Sequence, residues 1–318
     1  PPRKDGPPVP PEPPRREPPK AAGREEEATE LFRFSRGALE EGRYGEAERG
    51  FHRLLTEFQD TRIVRDYGVE AAQRLADAMK KGGGVAGLFR GGLKVQGSRV
   101  TLTYDFEDEA QAADWETVHM FAVPQKGTFR VEKGELSGQG AAAFMLRAAF
   151  RKEAVSMTFR VRPGVPAQDM GALLAEPKDI ANHVFFTIAN QFFQLGRGGK
   201  EYAAPGNMIV VFGKGMWRDT DPGMVGFVRT AHAEEPRVPS LQWTEVEVAK
   251  EKQRARFVLG GKALNGSAVG DNKYEITGVR PALFVLLSEA RFDSVTVTGE
   301  LDPDWVKAER ERLFPLPK

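Results

Sequence analysis

Between Val100 and about Leu301, apolar residues recur at every second position in run after run, and no stretch of helical period intervenes. The clearest run is 155–162, where Val155, Met157, Phe159 and Val161 alternate with Ser156, Thr158, Arg160 and Arg162. A period of two puts one set of side chains on each face of a strand, so one face is built for a core and the other for water. Val100, Leu102, Tyr104 and Phe106 form a similar run, as do Phe129 and Val131. Further strands are expected near 143–148, 171–175, 183–189, 208–213, 226–230, 243–249, 255–260, 282–288 and 292–300. About ten to twelve strands without helices between them predict a mostly β fold, an antiparallel two-sheet jelly-roll sandwich over 100–301. Ala282 to Leu287 is apolar on both faces, as in a central strand.

The chain before this region changes character three times. Residues 1–24 open with PPRKDGPPVPPEPPRREPPK, which cannot bury apolar area and reads as an extended stalk. Residues 25–81 have a helical period: Leu31, Phe34, Ala38 and Leu39 make one stripe, and Ala47, Phe51, Leu54 and Leu55 the facing one. Gly42, Tyr44, Ala47 and Phe51 around the intervening turn resemble a tetratricopeptide repeat, a unit of about 34 residues. Ser35 stands where that family often has Gly, and no Pro closes the second helix. The resemblance implies a helical hairpin, with Thr61 to Lys81 as a capping helix through Val64, Tyr67, Gly68, Ala71 and Leu75. One repeat is too short for the concave groove such arrays use, so a structural role is expected. Residues 82–99 carry GGG and GG and read as a Gly-rich linker, with Leu88, Phe89 and Leu93 able to dock on a neighbour. At the other end, 302–318 start with Asp302 as N-cap and Pro303 at the first helical position, which predicts a short helix to about Leu313.

Composition removes several classes of function. The formal net charge is +1, so no global field favours nucleic acid or an anionic membrane. No cysteine is present, which excludes disulfides, thiolate metal sites and cysteine nucleophiles. Zinc would have to use His52, His119, His183, His232 and carboxylates, and isolated histidines such as His119 and His183 read as packing residues. No apolar run approaches the roughly 20 residues of a membrane span. The first residue is proline, which implies processing or excision, with any signal peptide or anchor upstream.

Within 100–301, several phrases in order resemble the concanavalin A-like lectin/glucanase superfamily, in particular its bacterial branch of 3-keto-disaccharide hydrolase and family 16-like domains. They are Tyr104-Asp-Phe106 followed by Asp114-Trp115; Phe129-Arg-Val-Glu-Lys-Gly-Glu-Leu136; Trp243-Thr-Glu-Val-Glu-Val248; Arg256-Phe-Val-Leu259 with Gly260-Gly261 and Asn265-Gly266; and Arg291-Phe-Asp-Ser-Val-Thr-Val-Thr-Gly299. The resemblance implies the sandwich fold and does not fix an activity.

Sandwich glycosidases of that superfamily carry a Glu-x-Asp-x-Glu-like strand, whose alternation brings the nucleophile and the acid/base to one face. The nearest approach here is Glu245 and Glu247, on one face and about 7 Å apart. Ala249 stands where a third carboxylate would be, and a solvated face opposite Val246 and Val248 explains both glutamates. Gly-Arg-Gly-Gly-Lys at 196–200 opens no helix and is not a P-loop, and there is no Gly-x-Ser-x-Gly elbow.

The segment 190–223 is the least explained by structure alone. Tyr202, Asn207, Trp217, Asp219 and Asp221 are the candidate ligand-binding residues, an aromatic face for a sugar ring with planar amide and carboxylate partners for its hydroxyls. Asp219 and Asp221 are also the nearest thing to a Ca²⁺ site, but two carboxylates fall short of six or more oxygens, so no cofactor is expected. Turn chemistry at Asp221-Pro222-Gly223 accounts for the same residues without a ligand. The expectation is a non-catalytic, extracytoplasmic module that binds carbohydrate or a protein partner, tethered through its stalk. The alternatives are a degenerate sandwich glycosidase and an assembly protein using the hairpin and the sandwich as interfaces.

Overall fold

A computed structural model describes residues 21–119, 126–165, 167, 169–175, 183–190, 206–212, 227–267 and 280–314. The proline-rich stretch 1–20 lies outside them. The chain divides into two compact units, Pro1–Lys81 and Gly82–Lys318.

The first unit contains α1 (Ala21–Glu40), α2 (Tyr44–Glu57) and α3 (Arg62–Lys81). Gly42, at φ 80°, turns the chain between α1 and α2. The buried face of α1 is Ala28, Phe32, Ser35, Ala38 and Leu39, so the stripe expected through Phe34 is shifted. Phe34 is 51% exposed, and the Arg43 guanidinium lies 5.4 Å from its ring. The shift comes from Ser35, a polar residue at a core position. Its hydroxyl donates to the Leu31 carbonyl at 2.7 Å, which satisfies it inside the helix. Opposite it stands Gly50, where a Cβ would come within 2.0 Å of the Ser35 Oγ. The two helices therefore touch through Ser35 and Gly50, flanked by Ala47, Phe51 and Leu54. On α3, Ala71 and Ala78 are buried, whereas Tyr67 is half exposed with its ring 5.5 Å from that of Phe32.

The second unit is mostly β. Its strands are β1 (Gly92–Gln96), β2 (Arg99–Tyr104), β3 (Trp115–His119), β4 (Thr128–Glu132), β5 (Glu135–Leu146), β6 (Phe150–Pro163), β7 (Met170–Ala175), β8 (His183–Asn190), β9 (Gly206–Phe212), β10 (Phe227–Ala233), β11 (Thr244–Glu251), β12 (Arg254–Leu259), β13 (Lys262–Ser267) and β14 (Arg280–Leu301). A helix, α4 (Pro303–Leu313), follows. All pairs of these strands are antiparallel.

β14 organises the unit. Two strands are expected from the sequence at 282–288 and 292–300, but the structure has one strand of 22 residues. It stays continuous because its register slips at three irregularities, two of them around Leu287 (φ 53°) and Ser294 (φ 54°) and one between Gly299 and Leu301, which bend it without ending it. Its first part runs between β7 and β5, and its last part between β6 and β2. The hydrogen-bonded sheet thus has two wings that share β14. One wing is β10-β9-β8-β7-β14-β5-β3, the other β1-β2-β14-β6-β11-β12-β13.

The wings face each other as a sandwich. Val184, Phe186 and Ile188 from the first join Met157, Phe159, Val246, Val248 and Phe257 from the second in one core, with the Phe186 and Phe257 rings 6.0 Å apart. Each fully buried phenylalanine here contributes roughly 1.5–3 kcal/mol by burial. Trp115 is stacked on Phe144 at 5.3 Å within this core, and Phe129 stacks on Phe144 at the same distance. Alternate residues of the first wing, among them Ala143, Leu173, Phe185, Ala282 and Phe284, form a second buried cluster on its opposite face.

Residues 82–99, expected to be a linker, are part of this sandwich. Leu88 and Phe89 are buried in its core, and β1 pairs with β2 over Gly92–Gln96. The glycines that break the sequence pattern permit close contact. A Cβ at Gly91 would lie 2.4 Å from the Tyr104 ring and 2.7 Å from the Thr103 carbonyl oxygen. Asp114 fastens the segment, accepting from the main-chain N–H groups of Arg90 (2.7 Å) and Gly91 (3.1 Å) and from the Tyr104 hydroxyl (3.1 Å). At the other end, Asp302 caps α4 by accepting from the Asp304 and Trp305 N–H groups, and Trp305 stacks on Phe89 at 5.8 Å.

Candidate functional site

On the second wing, the outward face is set by strand alternation. Val155, Met157, Phe159 and Val161 of β6 point into the core, so Ser156, Thr158, Arg160 and Arg162 point out. β11 presents Glu245, Glu247 and Ala249 beside them, with Glu245 opposite Arg160 and Glu247 opposite Thr158. On the other side, β14 places Arg291 opposite Arg162 and Asp293 opposite Arg160. Thr296 and Thr298 continue the face, next to Thr103 and Thr101 of β2. The result is a broad hydroxyl-bearing sheet surface with a charged, aromatic cluster at one end.

Trp243 is the centre of that cluster. It precedes β11 by one residue, is half-buried, and has the guanidiniums of Arg160 and Arg162 each 4.9 Å from its ring centroid. Such cation–π contacts hold the long arginine side chains in place. The β4–β5 hairpin supplies the carboxylates. Its two-residue turn has positive φ at both Lys133 (55°) and Gly134 (74°), a type I′ geometry that leaves Glu132 and Glu135 paired across the strands. Glu135 Oε2 accepts from Arg162 and from Arg291, each at 2.8 Å. Glu132 pairs with Arg130 at 3.0 Å and with Arg291 at 3.6 Å. Arg160 donates to Asp293 Oδ2 at 3.4 Å, and Asp293 also accepts from the Ser294 N–H and hydroxyl. Exposed pairs of this kind contribute roughly 0–1 kcal/mol each. The array therefore adds little to a fold already held by its core, and its fixed geometry suits recognition.

The residues expected from sequence fall in three places. Tyr202, Trp217, Asp219 and Asp221 lie outside the described residues, as does Gly-Arg-Gly-Gly-Lys at 196–200. Asn207, on β9, is 2% exposed and its amide donates to the Pro236 carbonyl at 2.8 Å, so it is built into the interior rather than displayed. Glu245 and Glu247 do share the outward face of β11. Glu247 is taken by Arg256 at 2.7 Å, while Glu245 is exposed beside Arg160. Among the described residues no three His, Asp or Glu side chains converge as a metal site would need, and no helix is long and apolar enough to cross a membrane.

Trp243, Arg160, Arg162, Glu135, Arg291 and Asp293 are the residues that sequence reasoning missed as a group. An Arg-x-Arg on the polar side of a strand was visible, as was a tryptophan at the start of another. Only the register of β6 against β11 and β14 brings them together.

No family model matches the chain, and no curated protein matches it. Similar solved structures include the carbohydrate binding module CBM66 from Bacillus subtilis, at TM-score 0.41 and 14% identity, covering 58% of this chain and 94% of that one. A protein of unknown function with a galectin-like fold, also from Bacillus subtilis, aligns at TM-score 0.41 and 12% identity over 67% of this chain and 98% of its own. Domain 4 of an extracellular arabinanase from Geobacillus stearothermophilus, solved with arabinotriose, aligns at TM-score 0.39 and 12% identity over 65% and 96% of the two chains.

Proposed function

We propose that the β-rich unit is a non-catalytic carbohydrate-binding module whose ligand lies on the outward face of the second wing, around Trp243. The observation that carries this reading is the Trp243 cluster itself. A half-buried indole stands on an open, polar sheet face amid guanidiniums and carboxylates already held in place by one another. Carbohydrate sites combine aromatic surface with a few fixed, planar polar partners for hydroxyls. Among the described residues, the neighbouring outward positions of β2, β14 and β6 are Thr101, Thr103, Thr296, Thr298, Ser156 and Thr158, a polar surface rather than the apolar core of a protein interface. Among the described residues, the carboxylates that meet the Trp243 arginines and Arg291, namely Glu132, Glu135 and Asp293, are held in ion pairs rather than left free as an acid–base pair. Affinity electrophoresis of the full chain through gels containing polysaccharides tests the reading. Retardation by at least one polysaccharide, abolished in Trp243→Ala, is expected; retardation that Trp243→Ala leaves unchanged removes the proposed site.

A protein-docking reading rests on a different observation. Val165, Leu241 and Leu287 are exposed, and main-chain bonds tie their segments together at the point where β14 passes between the wings: Leu241 N–H to Pro163 (2.9 Å) and Gly164 N–H to Glu289 (2.8 Å). Cross-links from a partner or a second copy to residues near Leu241 would favour it, and their absence under conditions that cross-link known complexes would remove it.

A further inference from the structure

Donors and acceptors on the Trp243 face are unevenly occupied. Glu135 Oε2 accepts from two guanidiniums, Glu132 is shared by Arg130 and Arg291, and Asp293 accepts from Arg160, the Ser294 N–H and the Ser294 hydroxyl. Each of those carboxylates is turned toward the guanidiniums it accepts from and has its charge balanced there, although Glu135 Oε1 keeps acceptor sites. The two guanidiniums that rest on Trp243 are in the opposite condition. Arg162 spends one nitrogen on Glu135 at 2.8 Å, and Arg160 spends one on Asp293 at 3.4 Å. A guanidinium presents several N–H groups in a rigid fork suited to two oxygens of one anion, so each keeps donors in hand. Trp243 orients both planes and lowers the entropy lost when they engage. A neutral polyol needs acceptors as well as donors, whereas an anionic group needs donors alone.

We propose that this face recognises an acidic saccharide, with a carboxylate or sulfate of the sugar held by Arg160 and Arg162 and with Trp243 as the positioning residue. The proposal rests on the carbohydrate-binding reading and names the ligand class of the same site. Glu245 and Glu289 are the exposed carboxylates of this face that form no ion pair among the described residues, and of the two it is Glu245 that stands across from Arg160. It repels such a ligand, which supplies a signed test.

The experiment is calorimetric titration of the full chain with polygalacturonate, dextran sulfate and neutral dextran, at low and at physiological salt. Binding to polygalacturonate or dextran sulfate but not to dextran is expected, weaker at higher salt, and the arm that binds tells carboxylate from sulfate. The Arg160→Gln/Arg162→Gln variant should lose about tenfold or more in affinity. Glu245→Gln removes one negative charge about 7 Å away at an exposed position and should strengthen binding about threefold. That gain needs no assumption about how the arginine variant folds. Weaker or unchanged binding in Glu245→Gln overturns the proposal. So does an equal loss from Arg254→Gln, at the exposed first residue of β12, because it would mean unspecific charge attraction. Binding to neutral dextran alone overturns the ligand class and leaves the carbohydrate reading standing; no binding to any of the three overturns the ligand class, and the polysaccharide gels described above then decide the broader reading.

Discussion

Replacing Asp114 by alanine removes an acceptor that serves three donors. Its Oδ2 receives the Arg90 N–H at 2.7 Å, the Gly91 N–H at 3.1 Å and the Tyr104 hydroxyl at 3.1 Å, and the residue is 7% exposed. Hydrogen bonds to a charged group contribute about 1.5–3 kcal/mol each, and they are not additive. Arg90 and Gly91 sit near the surface and can take water in compensation, but Tyr104 is fully buried and its hydroxyl would lose this partner. A loss of about 3–5 kcal/mol follows. For a unit the size of Gly82–Lys318 this lowers Tm by roughly 6–20 °C. Differential scanning calorimetry of the full chain measures it, and amide exchange at Arg90 and Gly91 shows whether the segment before β1 comes loose. Adding Tyr104→Phe should restore about 1–2 kcal/mol, because the orphaned hydroxyl goes with it. An Asp114→Ala loss below about 1 kcal/mol, or strict additivity in the double variant, refutes the clasp.

Tyr104 also sets a pH dependence. Burial first, then the nearby Asp114 carboxylate, holds its hydroxyl well above the usual tyrosine range. The folded state keeps a proton that the unfolded chain sheds, so stability is complete below about pH 10 and falls above it. Tyr104→Phe should flatten that alkaline slope in urea titrations, and an unchanged slope would contradict it. Gly50→Ala puts a Cβ 2.0 Å from the Ser35 Oγ and should cost the helical unit about 1–3 kcal/mol, partly recovered by Ser35→Gly; thermal melts without that recovery would mean the helices touch elsewhere. Leu241 is exposed and held at φ 62°, a conformation that costs most side chains about 1–2 kcal/mol, so Leu241→Gly should keep or raise Tm rather than lower it. A clear drop would show that the leucine is packed.

The strands were legible where one face meets the core and the other meets solvent. β6 and β2 have that alternation, and both fall where the sequence places them. β14 reads as two strands, 282–288 and 292–300, because the run that is apolar on both faces stops at the Leu287 irregularity and polar Ser288 and Glu289 follow, while the ladder itself continues. β1 was hidden by glycines that look like a linker and serve as contact points, Gly91 against Tyr104 above all. β3 and β13 are no shorter than β4 and β2, but Trp115-Glu-Thr-Val-His and Lys262-Ala-Leu-Asn-Gly-Ser carry no alternating apolar run to reveal them. In the helical unit, the apolar stripe drawn through Phe34 failed because a serine and a glycine form the tightest contact. The Trp243 cluster was illegible for a different reason. Its members come from β5, β6, β14 and the start of β11, and their proximity is a matter of pairing register, which local pattern does not encode.

The central claim is that the sheet face around Trp243 holds a saccharide. A glycan array probed with the full chain, with Trp243→Ala and with Trp217→Ala, tests it most directly. The account predicts saturable binding that Trp243→Ala loses and Trp217→Ala keeps. Binding lost only in Trp217→Ala would contradict the placement and move the site to the segment before β10. Binding by none of the three proteins would contradict the carbohydrate reading itself.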